Sequence, residues 1–275
     1  MNIKILDGEK IARKILQDVK KQVSKRYVQL AVIQVGRNLV SESYIRKKQE
    51  VAKNIGIDFK LVQFPESISS EKLKEEIQKI GRDPKVSGMI IQLPLPKHIH
   101  AKEILDRIPV SKDVDVLSSA AFEKFKTGKL PILPPTVAAV SALFSAYGIE
   151  AIGKKIVLVG SGRLVGLPLS IWLERQGVVI QVVNKETKDI SSVCQEADIL
   201  ISGVGKTNLI TADMIKEGAV VVDAGTSVEH GKTKGDVDFE SVAKKASYLT
   251  PVPGGVGPVT VACLFQNLLF LSQKK

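Results

Sequence analysis

The chain has 275 residues, of which 40 are lysine or arginine and 29 are acidic, giving a formal net charge of +11. This length can bury one large core or two smaller ones, and the charge suits nucleic acid, an anionic membrane surface or a polyanionic small molecule. The sequence has no clustered basic tail and no basic strand interleaved with aromatic residues, which disfavours nucleic acid, and it has no run of about 18 apolar residues that would cross a membrane.

Two features of the sequence indicate the cellular compartment. The N-terminal residues lack the continuous apolar segment of a secretory signal peptide. The two cysteines, Cys194 and Cys263, lie far apart among apolar neighbours, which is typical of packed, reduced thiols. We therefore expect a cytoplasmic protein.

The first half of the chain alternates between helical and strand-like patterns. Apolar residues at helical spacing, Ile11, Ile15 and Val19, predict an amphipathic helix over residues 7–25. The elements predicted after it are a strand at 29–35, a helix at 43–55 with Ser41 as N-cap and Gly56 as its end, a strand at 59–64, a helix at 70–80 and a strand at 88–92.

The predicted helix 43–55 carries Tyr44 and Lys48 four residues apart, so the two side chains share one face. A ring that can stack on a flat heterocycle, beside an amine that can move protons once desolvated, suits a reaction centre. Because Arg46 and Lys47 lie beside them, a solvated basic face is the alternative interpretation of this segment.

The strand at 88–92 ends at Gln92, and the sequence Leu93-Pro94-Leu95-Pro96 stops it. Such an ending presents the Gln92 amide at the carboxyl edge of the sheet, where α/β proteins bind ligands; a rigid turn with an exposed glutamine is the alternative. Further on, Asp113 and Asp115 are carboxylates at alternate positions that suit either a turn or a grip on a nitrogen-rich ligand.

His98 and His100 have no third ligand at metal spacing, so we expect a surface loop and no metal site.

A short helix is predicted at 102–108. The proline-rich segment 131–136 predicts a domain boundary, with Thr136 capping a connecting helix to about residue 147.

An apolar run at 156–159 ends in a glycine turn, Gly160-Ser161-Gly162, and a helical pattern then reaches about residue 176. A strand, a glycine turn and a helix in this order aim backbone N–H groups at a phosphate. Glycine allows a pyrophosphate to come close and allows positive φ. The spacing to Gly166 is G-x-G-x-x-x-G rather than the usual G-x-G-x-x-G, and an ordinary strand-to-helix turn is the alternative.

Further strands are predicted at 178–183, 198–202, 219–222 and 247–250, with helical stretches between most of them. This alternation predicts a parallel, doubly wound sheet of the α/β class. An NAD-binding fold usually has an acidic residue after its second strand, where it accepts from the ribose 2′-OH. Lys185 stands there instead and favours the 2′-phosphate of NADP over NAD; a solvated surface cation is the alternative.

Three glycines and three prolines lie within residues 250–260. This density predicts a constrained loop whose backbone is open to a close ligand. An elaborate turn before a C-terminal helix over 259–271 is the alternative.

Together these motifs resemble one family, the bifunctional methylenetetrahydrofolate dehydrogenase/cyclohydrolases. The resemblance spans nearly the whole chain. It rests on V-G-x-x-x-x-S-x-x-Y-x-x-x-K (35–48), Q-L-P-L-P (92–96), K-D-V-D (112–115), V-G-x-P (165–168) and T-P-V-P-G-G-V-G-P-V-T (250–260).

The resemblance implies an α/β protein of two domains with a cleft between them. The N-terminal folate domain would cover residues 1–117, completed by the C-terminal helix 259–275, and a Rossmann-type NADP-binding domain would cover 118–258. The implied reactions are oxidation of 5,10-methylenetetrahydrofolate by NADP+ and hydrolysis of the methenyl product to 10-formyltetrahydrofolate. Such proteins are usually homodimers through the cofactor domain, and the positive charge suits a polyglutamylated substrate.

The resemblance also implies roles for single residues. Lys48 would move protons during ring opening, and Gln92 would hydrogen-bond to it. Tyr44 would lie on the folate ring system, and Asp115 would accept from pterin N–H groups. The other substrate contacts would be Leu93, Pro94, Pro253, Gly254 and Gly255. The cofactor contacts would be Gly160, Ser161, Gly162, Arg163, Val165, Gly166, Lys185, Thr226, Gly255 and Val256.

The sequence departs from the family pattern at three places. Val116 replaces a glycine after K-D-V-D, and valine resists positive φ, which gives the loop with Asp115 scope for a different path. Residues 134–139 replace P-C-T-P-x-G, and Ser161 replaces the usual arginine or alanine. These departures leave open a monofunctional or NAD-preferring variant and a catalytically silent folate- or nucleotide-binding homologue. A shikimate-type dehydrogenase would share the glycine turn but lack the motifs at 92–96 and 250–260.

Overall fold

The computed structural model describes residues 3–229 and 231–273, apart from the side chains of Leu39 and Val40. The helices are α1 (Gly8–Val23), α2 (Leu39–Ile55), α3 (Ser70–Arg82), α4 (Ala101–Leu105), α5 (Ser119–Lys126), α6 (Pro135–Tyr147), α7 (Gly166–Arg175), α8 (Ile190–Gln195), α9 (Phe239–Val242) and α10 (Val256–Ser272). The strands are β1 (Lys4–Ile5), β2 (Gln29–Val35), β3 (Asp58–Phe64), β4 (Gly88–Ile91), β5 (Ile156–Val159), β6 (Ile180–Val183), β7 (Ile199–Ser202), β8 (Val220–Asp223), β9 (Ser227–Glu229), β10 (Lys232–Lys234) and β11 (Tyr248–Leu249).

The chain divides into two compact units. The three-stranded unit contains residues 13–135 and 261–275, and the six-stranded unit contains residues 1–12 and 136–260. Relative to the division implied by the resemblance, residues 118–135 lie with the three-stranded unit and residues 1–12 with the six-stranded unit. Backbone pairing explains the second difference, because β1 pairs in parallel with β11.

In the three-stranded unit, the strands are parallel in the order β3-β2-β4. All seven residues of β2 are buried, as expected for a central strand covered on both faces. Its side chains Ala31 and Ile33 lie in one core cluster with Leu73 and Ile77 of α3. This packing fixes the sheet whose carboxyl edge presents Gln92.

The C-terminal half of α10 holds the segment that carries Asp115. Asn267 of α10 donates through Nδ2 to the carbonyls of Val114 (3.0 Å) and Leu133 (2.8 Å). Gly88 in β4 allows this approach, because a Cβ there would lie 2.5 Å from Val114 and 2.6 Å from Leu268. Residues 274 and 275 of the predicted C-terminal helix lie outside the described residues.

In the six-stranded unit, the strands are parallel in the order β1-β11-β8-β7-β5-β6. The predicted parallel sheet of Rossmann type is confirmed. Strands β5 and β7 are buried at every residue, which explains their uninterrupted apolar runs. Strand β1 and the antiparallel pair β9–β10 were not predicted, because strands of two or three residues are too short to give a periodic signal.

Throughout the part of the chain that is described, no helix is both long and apolar enough to traverse a bilayer.

Candidate functional site

Helix α2 carries the two residues singled out as a reaction centre. It begins at Leu39, earlier than predicted, because Asn38 rather than Ser41 is its N-cap: the Asn38 side chain accepts from the Ser41 N–H at 3.0 Å. Ser41 is buried and instead donates from Oγ to the Leu93 carbonyl at 3.2 Å. The helix therefore begins against the Q-L-P-L-P segment, with Tyr44 and Lys48 both partly exposed one and two turns later.

The Lys48 amine contacts the end of strand β4. Lys48 Nζ donates to Gln92 Oε1 at 3.1 Å, and Gln92 Nε2 donates to the Leu93 carbonyl at 3.0 Å. The second bond fixes which end of the Gln92 amide faces the lysine. The hydrogen-bond acceptor of the Lys48 amine is thus an uncharged amide oxygen. Because this contact is not an ion pair, it does not require the amine to keep its proton.

Electrostatics in this cluster tune both titratable groups. Burial lowers the pKa of Lys48, and the negative charge of Asp115 opposes part of that shift. Burial raises the pKa of Asp115 to about 6; the charge of Lys48 opposes this rise, and Asp113 adds to it. At neutral pH the site therefore combines an ionised carboxylate with an amine that loses its proton more readily than a surface lysine does.

The two aspartates of K-D-V-D have different environments. Asp113 is 1% exposed and accepts from the N–H groups of Leu117 (3.2 Å) and Ser118 (2.8 Å). Its carboxylate therefore stabilises the backbone just before α5. Asp115 is partly exposed. Only Asp115 is therefore available to a ligand.

Val116 adopts a backbone conformation that favours glycine. Its φ is 59°, in the left-handed region, and its side chain is 1% exposed. A β-branched residue is strained there by about 1–3 kcal/mol, and burial of its side chain offsets that cost. The loop therefore has, at Val116, a backbone conformation that a glycine would adopt without this strain.

The glycine turn lies at the carboxyl end of β5, in the six-stranded unit. Gly160 has φ 101°, and a Cβ there would lie 3.1 Å from the Gly203 carbonyl oxygen. A Cβ at Gly166 would lie 1.9 Å from the Gly160 oxygen, so only glycine fits at position 166 in this turn. Ser161, Gly162 and Arg163 are exposed before α7 begins. A close-packed turn with exposed backbone at a helix N-terminus fits the diphosphate of a dinucleotide.

The remaining predicted cofactor contacts lie in the same unit. Lys185 and Thr226 are exposed, the first just after β6 and the second just after β8. Sequence reasoning missed the loop 203–206 after β7, although it lies directly against Gly160. The signal available was Gly203 itself, because a Cβ there would lie 2.2 Å from Val165.

All of the glycine-rich segment 250–260 also belongs to the six-stranded unit. Gly254 has φ 107°, and its carbonyl accepts from the N–H groups of Gly8 (2.9 Å) and Glu9 (3.2 Å) at the start of α1. A Cβ at Gly8 would lie 1.8 Å from the Gly255 oxygen. Gly254 and Gly255 therefore lie against the first turn of α1, directly after Pro253, and Val256 begins α10.

Within residues 3–229 and 231–273, no group of three or more His, Cys, Asp or Glu side chains is arranged to hold a metal ion. His98 and His100 are exposed, and His98 Nε2 lies 3.1 Å from the Ile68 carbonyl.

Two family models match the chain. The tetrahydrofolate dehydrogenase/cyclohydrolase catalytic domain matches residues 6–115, and the NAD(P)-binding domain of the same family matches residues 134–275. Among curated relatives, the bifunctional protein FolD of Nautilia profundicola is 42% identical over 269 residues, covering 96% of this chain and 95% of that protein.

Solved structures agree with the family models. The bifunctional FolD methylenetetrahydrofolate dehydrogenase/cyclohydrolase from Campylobacter jejuni has a TM-score of 0.94 at 38% identity, covering 99% of both chains. The Trypanosoma brucei enzyme, complexed with NADP cofactor and an inhibitor, has a TM-score of 0.94 at 31% identity, covering 99% of this chain and 98% of that one. The resemblance predicted from five motifs is confirmed, and the chain belongs to the tetrahydrofolate dehydrogenase/cyclohydrolase family.

Proposed function

We propose that this chain oxidises 5,10-methylenetetrahydrofolate with NADP+ to the 5,10-methenyl cation and hydrolyses that cation to 10-formyltetrahydrofolate. The observation that carries the proposal is the Lys48–Gln92 bond of 3.1 Å beside Asp115, in a chain that also has a closed glycine turn at Gly160 and Gly166. The first cluster suits proton transfer on a bound folate, and the turn suits a dinucleotide.

The two reactions ask different things of the protein. Bound NADP+ supplies the hydride acceptor. Oxidation of the methylene carbon releases a hydride and no proton, so it depends mainly on how the protein orients the reactants. In the hydrolysis, water adds its oxygen to the methenyl carbon, the bond from N5 to that carbon breaks, and one proton is released. Lys48 is the amine that accepts and returns protons in these steps, because burial has lowered its pKa.

The proposal is tested by adding methylenetetrahydrofolate and NADP+ to the purified protein. NADPH and 10-formyltetrahydrofolate should accumulate together. NADPH without the formyl product would indicate a monofunctional dehydrogenase. Binding of both ligands without turnover, seen as ligand-induced thermal stabilisation, would indicate a catalytically silent homologue and would overturn the proposal.

We assign recognition of the pterin to Asp115, with Tyr44 against the ring system. An ionised Asp115 accepts from the pterin amino group and ring N–H. Its pKa is raised to about 6, so it becomes protonated below that pH, where an ordinary aspartate is still ionised. We expect the KM for the folate substrate to rise as pH falls below 6, by up to about tenfold per pH unit.

The matched variant for this pH experiment is Asp115→Asn. It should have a high KM that changes little between pH 5.5 and about 8, because the titrating group is gone. If the wild-type and Asp115→Asn proteins show parallel pH profiles, Asp115 does not bind the pterin as a carboxylate.

We assign cofactor selectivity to Lys185. A charge-assisted bond from its ammonium to the 2′-phosphate is worth about 1.5–3 kcal/mol, so Lys185→Ala should weaken NADP+ binding by about 10–150-fold and leave NAD+ binding unchanged. Lys188→Ala is the control, because Lys188 is exposed three residues further on. Equal losses for NADP+ and NAD+ in the Lys185→Ala protein would contradict the assignment.

We also propose a homodimer formed through the six-stranded unit. Strand β6 is an end strand of its sheet; Val179, just before it, is 85% exposed, and Val182, within it, is 38% exposed. An apolar end strand tends to pair with another chain. Sedimentation should give twice the 29.8 kDa chain mass, and Val182→Lys should yield monomers. A wild-type monomer at micromolar concentration would overturn this.

The net charge of +11 supports a substrate with a polyglutamate tail. The KM should be lower for the polyglutamylated than for the monoglutamylated folate, and the difference should shrink in high salt.

Cys194 and Cys263 are both free and buried, which supports the proposal of a cytoplasmic, reducing location. Localisation of a tagged protein to any other compartment would refute it.

A further inference from the structure

Asp236 is a fully buried carboxylate at the carboxyl edge of the six-stranded sheet, and nothing in the proposed chemistry uses it. It is 0% exposed and accepts four hydrogen bonds. Oδ2 accepts from Ser202 Oγ (2.7 Å) and the Val204 N–H (2.6 Å), and Oδ1 accepts from the N–H groups of Gly205 and Lys206 (both 2.8 Å). Three consecutive amides of the loop 203–206 are therefore bound to this one side chain.

The loop that Asp236 holds forms one wall of the glycine turn. A Cβ at Gly160 would lie 3.1 Å from both the Gly203 oxygen and Val204 Cγ2. A Cβ at Gly203 would lie 2.2 Å from Val165 Cγ1. Because the loop and the turn are this close, a displacement of the loop by a few tenths of an ångström must move the turn or its neighbours. Val204 is also 47% exposed, an apolar side chain held open beside Gly160.

We propose that Asp236 is a positioning residue for the dinucleotide, setting the loop 203–206 so that the glycine turn and Val204 are preorganised to receive NADP+. This inference rests on the proposed function only in its choice of NADP+ as the ligand. Asp236 itself touches neither reactant, because its carboxylate is enclosed by the protein.

Only a carboxylate satisfies all four donors of this arrangement. All four partners present a donor to Asp236, and three of them are backbone N–H groups that cannot turn around. An asparagine would place its NH2 against at least one of these N–H groups, leaving a buried donor unsatisfied and repelled. Gly225 shows how tightly the group is enclosed, because a Cβ there would lie 2.1–2.3 Å from the carboxylate atoms of Asp236.

A second buried carboxylate, Asp223, secures the segment that presents Asp236. Its Oδ2 accepts from the Val237 N–H and its Oδ1 from the Gly225 N–H, both at 2.9 Å. The ends of β7 and β8 and the residues around 236 are thus joined through two side chains, of which only Asp236 contacts the loop beside the glycine turn. This difference separates a positioning role from a general contribution to folding.

The test is calorimetric titration of NADP+ into the full-length wild-type, Asp236→Asn and Asp238→Asn proteins, with cyclohydrolase activity measured in the absence of dinucleotide. We expect Asp236→Asn to raise the Kd for NADP+ at least tenfold and to change the cyclohydrolase rate less than twofold. Asp238→Asn is the matched control, two residues away and partly exposed, and should bind NADP+ like the wild type.

Two outcomes would overturn the inference. One is an unchanged Kd for NADP+ in folded Asp236→Asn protein. The other is a parallel fall in NADP+ affinity and cyclohydrolase rate, which would indicate a merely structural role. If Asp236→Asn does not fold, Ser202→Ala, which removes one of the four donors, should still raise the Kd for NADP+ by about two- to fivefold. Absence of any turnover by the wild type would count against the proposed function, while the NADP+ titration would still decide the role of Asp236.

Discussion

We expect Lys48→Met to reduce the cyclohydrolase rate by about 10²–10⁴-fold, the range typical for loss of a general acid–base group. Methionine keeps most of the side-chain volume but removes the amine that donates to Gln92 Oε1 at 3.1 Å. The dehydrogenase rate should fall much less, because hydride release at the methylene carbon requires no proton transfer. Both rates are measured on one preparation, with NADPH formation reporting the first step and loss of the methenyl cation the second.

Lys47→Met is the matched control for this variant. Lys47 is the adjacent lysine on α2 and is exposed, so its replacement should leave both rates near the wild-type values. A Lys48→Met protein that retains cyclohydrolase activity within about threefold of wild type would remove Lys48 from the proton-transfer role, given the size of that effect in other enzymes.

We expect Gly166→Ala to weaken dinucleotide binding strongly. The added Cβ would lie 1.9 Å from the Gly160 carbonyl oxygen, a contact that no rotamer relieves. Overpacking of this kind costs about 1–3 kcal/mol or more, so the turn must open and the affinity for NADP+ should fall by about 5–150-fold or beyond measurement. NADP+ titration and thermal unfolding are the measurements, with a lowered unfolding temperature as the second expected result.

Gly162→Ala separates steric closure of the turn from approach of the ligand. A Cβ at Gly162 has no neighbour within 4 Å, so this variant should unfold at the wild-type temperature. Any loss of NADP+ affinity there would report close approach of the dinucleotide to the backbone. If Gly166→Ala binds NADP+ as tightly as the wild type, the glycine turn is not the dinucleotide site.

The local features of the chain were predictable from the sequence because their causes are local. The apolar runs of β5 and β7 follow from burial on both faces, and the helical spacing of Tyr44 and Lys48 follows from a period of 3.6 residues. The glycine turn at 160–166 was visible because only glycine permits such close backbone contacts. The N-cap of α2 was misplaced by three residues, since Asn38 and Ser41 are both good caps and the choice depends on the neighbouring Leu93 carbonyl.

By itself, the sequence determined the class of the fold, the presence of a parallel sheet with a glycine turn, and a family resemblance that named Lys48, Gln92 and Asp115. Tertiary structure alone decided the contacts and the electrostatic environment of these residues, because both arise from groups distant in the chain. The Lys48–Gln92 bond joins residues 44 positions apart. The pKa of Asp115 is raised to about 6 by burial, and the charge of Lys48, on a different segment, opposes that rise. Asp236 reaches Val204 across 32 positions, a contact that no local period or motif encodes, since hydrogen bonds between segments form only when the sheet brings the ends of its strands together.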